Sequence, residues 1–250
     1  MKLTGRVALV TGAGTGMGLE AAKQFTERGG RVLMVARQAE RLRAEAERLP
    51  GAVALPCDIS DADDVRRLLD AVVADHPELD TVLLNAGVTH TYRLFGHEDA
   101  YAHADEEMHV NYLSAVRLIH ALVPIIEPRT EPALIVTTSG TAFAPDLTNP
   151  TYSATKAALH SLTQAVRLQL ERNGSAVKVF EFMAPLVDSP FASGVISDQK
   201  VSPEAAVADL FAGLERDERE LRVGGSEAVY QALRRSSDAA VRTLNAATGG

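Results

Sequence analysis

The sequence predicts an α/β fold: one doubly wound domain over residues 1–250, with a mostly parallel sheet of about seven strands and helices on both faces. Three observations carry this expectation. Short apolar, β-branched runs alternate with amphipathic or charged helical segments as far as Phe182, the pattern of strands whose two faces are covered by the helices between them. Four glycines, Gly12, Gly14, Gly16 and Gly18, separate the first strand from the first helix. Finally, 250 residues with 46% apolar content suffice for one large core.

Taken in order, residues 6–11 (R-V-A-L-V-T) form a buried strand and 19–28 (L-E-A-A-K-Q-F-T-E-R) the first helix. R-V-L-M-V-A (31–36) is the second strand, followed by a charged helix over 38–49 and a third strand, A-V-A-L-P-C (52–57). A helix near 62–74 leads into T-V-L-L-N (81–85). After a polar stretch (89–97), a long helical region runs to about 127, and A-L-I-V-T-T (133–138) is the fifth strand. From Tyr152 to Arg172, apolar residues keep helical spacing through Ala157, Ala158, Leu162, Val166 and Leu170. A-V-K-V-F-E-F (176–182) is the sixth strand. The alternation then breaks. Residues 184–202 are rich in proline, serine and glycine without a clean period, as expected of a lid or binding loop in a compact domain. A helix over 203–216 and a short strand, E-L-R-V-G (220–224), are expected to close the fold.

Bulk properties exclude several function classes. A net charge of −8 argues against a nucleic-acid binder, which needs a basic patch, and there is no polybasic membrane anchor. No apolar run reaches the roughly 18 residues of a membrane span. M-K-L-T-G-R leads directly into the first strand rather than into a secretory signal, and one cysteine, Cys57, precludes an intrachain disulfide. A soluble, cytoplasmic protein is the expectation.

Two groups of residues carry chemistry. Thr11, Gly12, Gly16 and Gly18 satisfy T-G-x-x-x-G-x-G between a strand and a helix, the context of a dinucleotide fingerprint. Gly12 suits the tight turn, Gly16 the approach of backbone to a pyrophosphate, and Gly18 close helix–strand packing. The helix N-terminus then faces the phosphates. The second group is Tyr152 and Lys156, with Ser139 thirteen residues before the tyrosine. Residues four apart on a helix share a face. A cation beside a phenol favours phenolate, so Lys156 is expected to lower the Tyr152 pKa from its usual value near ~10. A phenol so tuned can give or take a proton at an alcohol or a carbonyl.

With these motifs in this order, the chain resembles the short-chain dehydrogenase/reductase family, whose fold is of the Rossmann type, over nearly its whole length. Leu84-Asn85-Ala86-Gly87 matches the family's N-A-G motif, and Asn111, in H-V-N-Y-L-S-A-V, matches its helix asparagine. Ser139, Tyr152 and Lys156 match its catalytic serine, tyrosine and lysine. The spacings also fit: 26 residues from Asn85 to Asn111, 28 to Ser139, 13 to Tyr152 and 4 to Lys156. The resemblance implies an oxidoreductase that interconverts a small-molecule carbonyl and an alcohol by hydride transfer. Ser139 and Tyr152 would hold the substrate oxygen and Tyr152 would deliver the proton. Lys156 would tune the tyrosine and hold the nicotinamide ribose, while Asn111 would position a water between Lys156 and solvent. Further implied cofactor contacts are Gly12, Thr15, Gly16, Met17, Gly18, Asn85, Ala86, Gly87, Val187 and Ser189. Pairing through the helices over 99–127 and 152–172 into a homodimer or homotetramer is implied as well. Apolar residues there exceed what one sheet face needs: Val110, Leu113, Val116, Ile119, Leu122 and Val123, then Leu159, Leu162, Val166, Leu168 and Leu170.

Cofactor choice turns on the end of the second strand, where an acid binds the ribose 2′-hydroxyl of NAD and an Arg accommodates the 2′-phosphate of NADP. Ala36 stands in the acid's place and Arg37 follows, which favours NADP(H), with NAD(H) as the alternative. Against this, the glycine loop lacks the further basic residue that many NADP-binding relatives carry; Thr15 or Met17 stands nearby instead. Arg37 could instead pair with Glu40. Asp58 resembles the family's adenine-contacting aspartate, although an aspartate there equally suits a turn into the next helix. After the sixth strand the usual P-G-x-V-x-T reads Ala184-Pro185-Leu186-Val187-Asp188-Ser189. That departure, with G-L-E-R-D-E-R-E-L-R-V-G further on, is similar to a bacterial oxidoreductase subgroup of the DltE type.

Two other functions compete with this one. His97, His103 and His109 lie among Glu98, Asp99, Asp105, Glu106 and Glu107, but H-E-D-A-Y-A-H does not place two histidines on one helix face as H-E-x-x-H does. A solvated helix surface and no metal are expected, against a metal-dependent hydrolase. A non-enzymatic NADP(H)-binding regulator on the same fold is the other rival. The intact Asn111, Ser139, Tyr152 and Lys156 argue against it.

Overall fold

Seven parallel strands build the sheet in the order β3-β2-β1-β4-β5-β6-β7. They are β1 (Val7–Thr11), β2 (Arg31–Ala36), β3 (Ala52–Pro56), β4 (Thr81–Leu84), β5 (Ala133–Ser139), β6 (Lys178–Ala184) and β7 (Glu220–Arg222). The computed structural model describes residues 1–195 and 197–246. Position 196, within the loop over 184–202, and positions 247–250 lie outside the described residues.

The strands are apolar on both faces because each face meets helices. On one side Val10, Met34, Leu83, Phe180 and Phe182 pack under α1 (Gly16–Glu27) and α7 (Pro203–Glu215), where the rings of Phe25 and Phe211 lie 4.7 Å apart. On the other, Leu9, Leu33, Val82, Val136 and Val179 pack under α3 (Ala62–Asp75), α5 (Ser114–Ile126) and α6 (Pro150–Arg172). The strand order reverses between β1 and β4, and such a switch point opens a crevice at the carboxyl ends of the strands. There the Thr11 hydroxyl accepts the backbone amides of Asn85 (2.9 Å) and Ala86 (3.0 Å), joining the two strand ends.

Three features depart from expectation. The charged helix after β2 is α2 (Ala39–Ala46), shorter than 38–49. The long helical region is α4 (Ala100–Glu107), a π-helical turn (Met108–Leu113) and then α5, one continuous stretch. By length and composition that stretch could cross a membrane, although no run of residues in it was expected to; half of its most apolar window is buried inside the protein. Third, β7 does not close the fold. Two helices follow, α8 (Gly225–Leu233) and α9 (Ser237–Leu244). They enclose a small core of their own with Ala144, Val229, Ala232 and Ala240. Asn245 ties them to the turn after β5, accepting from Leu147 N at 2.9 Å and donating to the Pro145 carbonyl at 2.9 Å. The sequence signal for α9 is Ser236, whose hydroxyl caps Ala239 N.

Several described residues of the segment over 184–202 are tied down by hydrogen bonds that its composition does not suggest. A parallel bridge joins Val187 to Val201, Asp188 N donates to the Val201 carbonyl at 2.8 Å, and Lys200 Nζ donates to the Ala192 carbonyl at 2.9 Å. A short 3₁₀ turn, Pro190–Ala192, carries Phe191 over the sheet end.

Candidate active site

The glycine loop sits in the crevice. Gly12 has φ +71°, and a Cβ there would come within 3.0 Å of Ala86 Cα. A Cβ on Gly18 would overlap the Gly12 carbonyl, so α1 can pack this closely on β1 only with glycine. Thr15 is the N-cap of α1 without using its side chain as a cap, and no acid lies in the first turn. A helix start with no side-chain cap and no carboxylate in its first turn fits a dinucleotide phosphate. Gly16 faces Ser189, which brings the glycine loop and the segment over 184–202 together. Met17 packs at the edge of the α1-side core.

At the adenosine end, Gly14 lies beside Ala36, and Arg37 is exposed with no ion pair among the described residues; in particular it is not paired with Glu40. Asp58 Oδ1 accepts from Ser60 N at 2.9 Å and Ser60 Oγ at 2.6 Å, so this carboxylate is engaged in the turn that leads to α3. Asn85 Nδ2 donates to the Thr11 carbonyl at 3.2 Å, and Gly87 lies against Asn111 and Phe191. Cys57 is buried, and burial pushes its thiol up to about 12, with Asp64 and Asp58 adding to the rise.

Ser139, Tyr152 and Lys156 converge where β5 ends beside α6. The Ser139 hydroxyl accepts from Thr141 N at 3.2 Å and also contacts the Tyr152 phenol. Lys156 is 3% exposed, donates to the Thr137 carbonyl at 2.9 Å, and its Nζ lies 5.6 Å from the Tyr152 ring centroid. Phe191 meets the same ring edge-on, with centroids 5.7 Å apart. Asn111, 2% exposed, accepts from Val88 N at 2.8 Å and donates to the Val88 carbonyl (2.9 Å) and to Thr155 Oγ1 (3.1 Å). It thus clamps the chain after the N-A-G motif to α6.

One expectation is corrected. The Tyr152 pKa is raised, not lowered, in this structure. Burial pushes the phenol up, the Ser139 contact opposes that, and Glu107 and Asp146 add to the rise. Burial also draws Lys156 down to about 8, with Glu181 acting against the fall. Desolvation of both groups outweighs the attraction that their shared helix face suggested.

Sequence reasoning missed a buried polar frame around the trio. Glu107 is fully buried, accepting from Thr151 Oγ1 at 2.6 Å and His90 N at 2.8 Å. Thr151 has one proton and gives it to Glu107, so the Tyr92 phenol, 2.6 Å away, must donate to Thr151. Asn149 Nδ2 donates to Thr89 Oγ1 (2.8 Å) and the His90 carbonyl (3.0 Å), holding the polar stretch over 89–97 against the start of α6. Asn149-Pro150, a helix-start signature, was its one visible sign. Of the histidines, His103 stacks on His90 at 4.2 Å and His109 Nδ1 bonds the Asp105 carbonyl. Among the described residues, no group of three or more His, Cys, Asp or Glu side chains could hold a metal ion.

Comparison with known proteins agrees with this geometry. The family profile described as short chain dehydrogenase matches residues 6–200. The chain is similar to the oxidoreductase DltE of Bacillus subtilis (strain 168), 30% identical over 98% of each chain. It is also similar in structure to a short chain dehydrogenase from Burkholderia cenocepacia J2315 in complex with NADP, at TM-score 0.86, 26% identity and 98% coverage of both chains. A short chain dehydrogenase/reductase from Burkholderia phymatum in complex with NAD shares the fold at TM-score 0.80 and 18% identity, over 88% of this chain and 89% of that one.

Proposed function

The chain belongs to the short-chain dehydrogenase family of oxidoreductases, and on that premise we propose that it reduces a small-molecule carbonyl to an alcohol, and the reverse, with NADP(H) preferred over NAD(H). The observation that carries this reading is the convergence of Ser139, Tyr152 and Lys156 at the end of β5, beside a glycine loop free of carboxylates. Gly12, Thr15, Gly16, Met17 and Gly18 cradle the pyrophosphate; Arg37 takes the 2′-phosphate and Asp58 the adenine edge. Asn85, Ala86 and Gly87 line the adenosine and ribose path. Val187 and Ser189 flank the nicotinamide, and the segment over 184–202 closes over the substrate. A bound nicotinamide supplies or takes up the hydride.

The protein's own part is to hold the carbonyl oxygen and to move a proton. Ser139 and Tyr152 both face that oxygen and polarise it by hydrogen bonding. Because burial keeps Tyr152 protonated, the phenol is in the donor form that reduction requires. Lys156 presents a cation beside the phenol as the phenolate forms. Asn111 fixes the backbone at Val88, which supports the proton path from Lys156 toward solvent.

Screening NADPH oxidation against aldehydes, ketones and quinones tests the reading. Turnover with at least one of these classes is expected, and turnover with none sinks it. Lys156 also predicts a pH profile. Its folded pKa of about 8 lies below its ordinary 10.5, so the ammonium is half lost at about pH 8 and declines further above it. Reductase kcat should therefore decline as pH rises through about 8; a flat profile to pH 10 would exclude Lys156 as the required cation. For stability the sign is opposite. Between these two values the unfolded chain binds more protons than the folded one, so stability rises with pH there.

The partner helices support pairing with a second copy. Most of the apolar residues named for this fill the core, but Leu113, Val116 and Leu168 stay exposed, at 42%, 36% and 48%. A homodimer or homotetramer built on α4–α5 and α6 covers them. Light scattering at micromolar concentration should report two or four copies, and an active monomer would overturn the assignment.

A further inference from the structure

A charge arrangement beneath the catalytic helix goes beyond the reading above, on which it rests only for the task given to Lys156. Glu181 lies on β6, 0% exposed, on the face that α6 covers. Its neighbours there, Val179, Val136 and Leu134, are apolar core. A carboxylate in such a place needs partners. Thr138 Oγ1 donates to it at 2.6 Å, and His160 Nδ1 lies 2.9 and 3.0 Å from its two oxygens. His160 follows Lys156 by four residues, so both leave one face of α6 toward the same stretch of β5 and β6: His160 reaches Glu181, and Lys156 reaches the carbonyl of Thr137, next to Val136, the register partner of Glu181. Lys156 itself hydrogen-bonds only a neutral acceptor, the Thr137 carbonyl, among the described residues. Its ammonium is buried without a direct ion pair.

We propose that Glu181 is the buried counter-charge that keeps Lys156 an ammonium, and that His160 sets how much of that charge Lys156 feels. With His160 protonated, the imidazolium shares the carboxylate and the field at Lys156 is weak. When His160 loses its proton, the charge of Glu181 is unshared and holds the proton on Lys156. The two groups titrate in opposition: loss of one proton defers loss of the other. Both residues are positioning residues that act through Lys156.

The surroundings leave this pairing intact. From α6 the facing groups are Lys156, His160 and Arg167; β5 offers the neutral Thr138, β6 Glu181 and β7 Glu220. The turn after β5 contributes the uncharged Phe143 ring, 5.3 Å from the imidazole. Glu220 is held by Arg167 at 3.3 Å and Arg222 at 2.8 Å, so its charge is compensated locally. The His160 side chain is 18% exposed, which gives it access to solvent protons. The hydrogen bond to Glu181 raises the His160 pKa, burial opposes this, Glu220 adds to the rise and Arg167 subtracts.

Five lysines and seven histidines make side-chain NMR titration of the full chain tractable. In the parent protein Lys156 should titrate near pH 8, and His160 above the usual ~6.5. Glu181→Gln keeps shape and removes charge. It should move both titrations down, Lys156 by about one pH unit, and carry the alkaline limb of reductase kcat down by the same amount with cofactor KM unchanged. An unmoved Lys156 titration in Glu181→Gln overturns the proposal. If that variant does not fold, His160→Gln, which cannot become cationic, decides. A Lys156 titration at or above the parent value supports the proposal, and a lower one overturns it. These titrations need no substrate. Shifted titrations in a protein inactive on every carbonyl would defeat the proposed function alone, while an active enzyme with unshifted titrations would defeat this inference alone.

Discussion

Tyr152→Phe should lower reductase turnover by about 10² or more while cofactor affinity stays within a few fold. The substitution removes the transferable proton and leaves the ring. That ring is held by its edge-on contact with Phe191 and by the backbone of α6, where Thr155 Oγ1 donates to the Tyr152 carbonyl at 2.7 Å. The packing that positions the nicotinamide side of the site is thus retained, and the loss should fall on kcat. Fluorescence titration with NADPH beside steady-state kinetics separates the two terms. Near-parent turnover in the variant would remove Tyr152 from the chemistry.

Arg37→Ala should weaken NADPH by about 1.5–3 kcal/mol, roughly ten- to 150-fold, while NADH changes little. Arg37 stands exposed beyond Ala36 and is not committed to an ion pair among the described residues. Its guanidinium can turn to a 2′-phosphate without first breaking a contact. The neighbouring position offers a methyl group where a carboxylate would repel that phosphate. Binding isotherms for the two cofactors, at one ionic strength, check this. Equal losses for both, or a parent protein that prefers NADH, would refute the preference for NADP(H).

How much of this was legible depends on the range of the forces involved. The strands from β1 to β6 could be read because their β-branched runs are local, and the glycine loop because Gly12 takes a positive φ in a tight turn and Gly18 meets the Gly12 carbonyl six residues back. Tyr152 and Lys156 could be paired because helix geometry fixes the face that residues four apart share. Their protonation could not, since it depends on burial by Phe191 and on Glu107 and Glu181, which arrive from other elements. Glu181 reads in the sequence as an exception inside an apolar strand. Its partners are 43 residues away at Thr138 and 21 away at His160. Helices α8 and α9 were passed over because β7 is short and their apolar residues serve a separate small core. Asp58 illustrates the reverse case: the turn chemistry visible in the sequence is present, and Ser60 occupies one of its oxygens.

The π-helical turn at Met108–Leu113 has a consequence for how this chain can change. A π turn accommodates about one residue more than an α turn, and each residue advances an α-helix by roughly 100°. Glu107 before the turn faces Thr151 and His90, while Leu118, Leu122 and Ile126 after it face the sheet. The extra residue is what lets both faces be correct at once, with Asn111 in the widened turn reaching Val88. A single-residue deletion anywhere in that turn would straighten the helix and rotate one half against the other. Either the buried carboxylate or the apolar stripe would then point the wrong way. This segment should therefore accept side-chain exchanges far more readily than any change in its length.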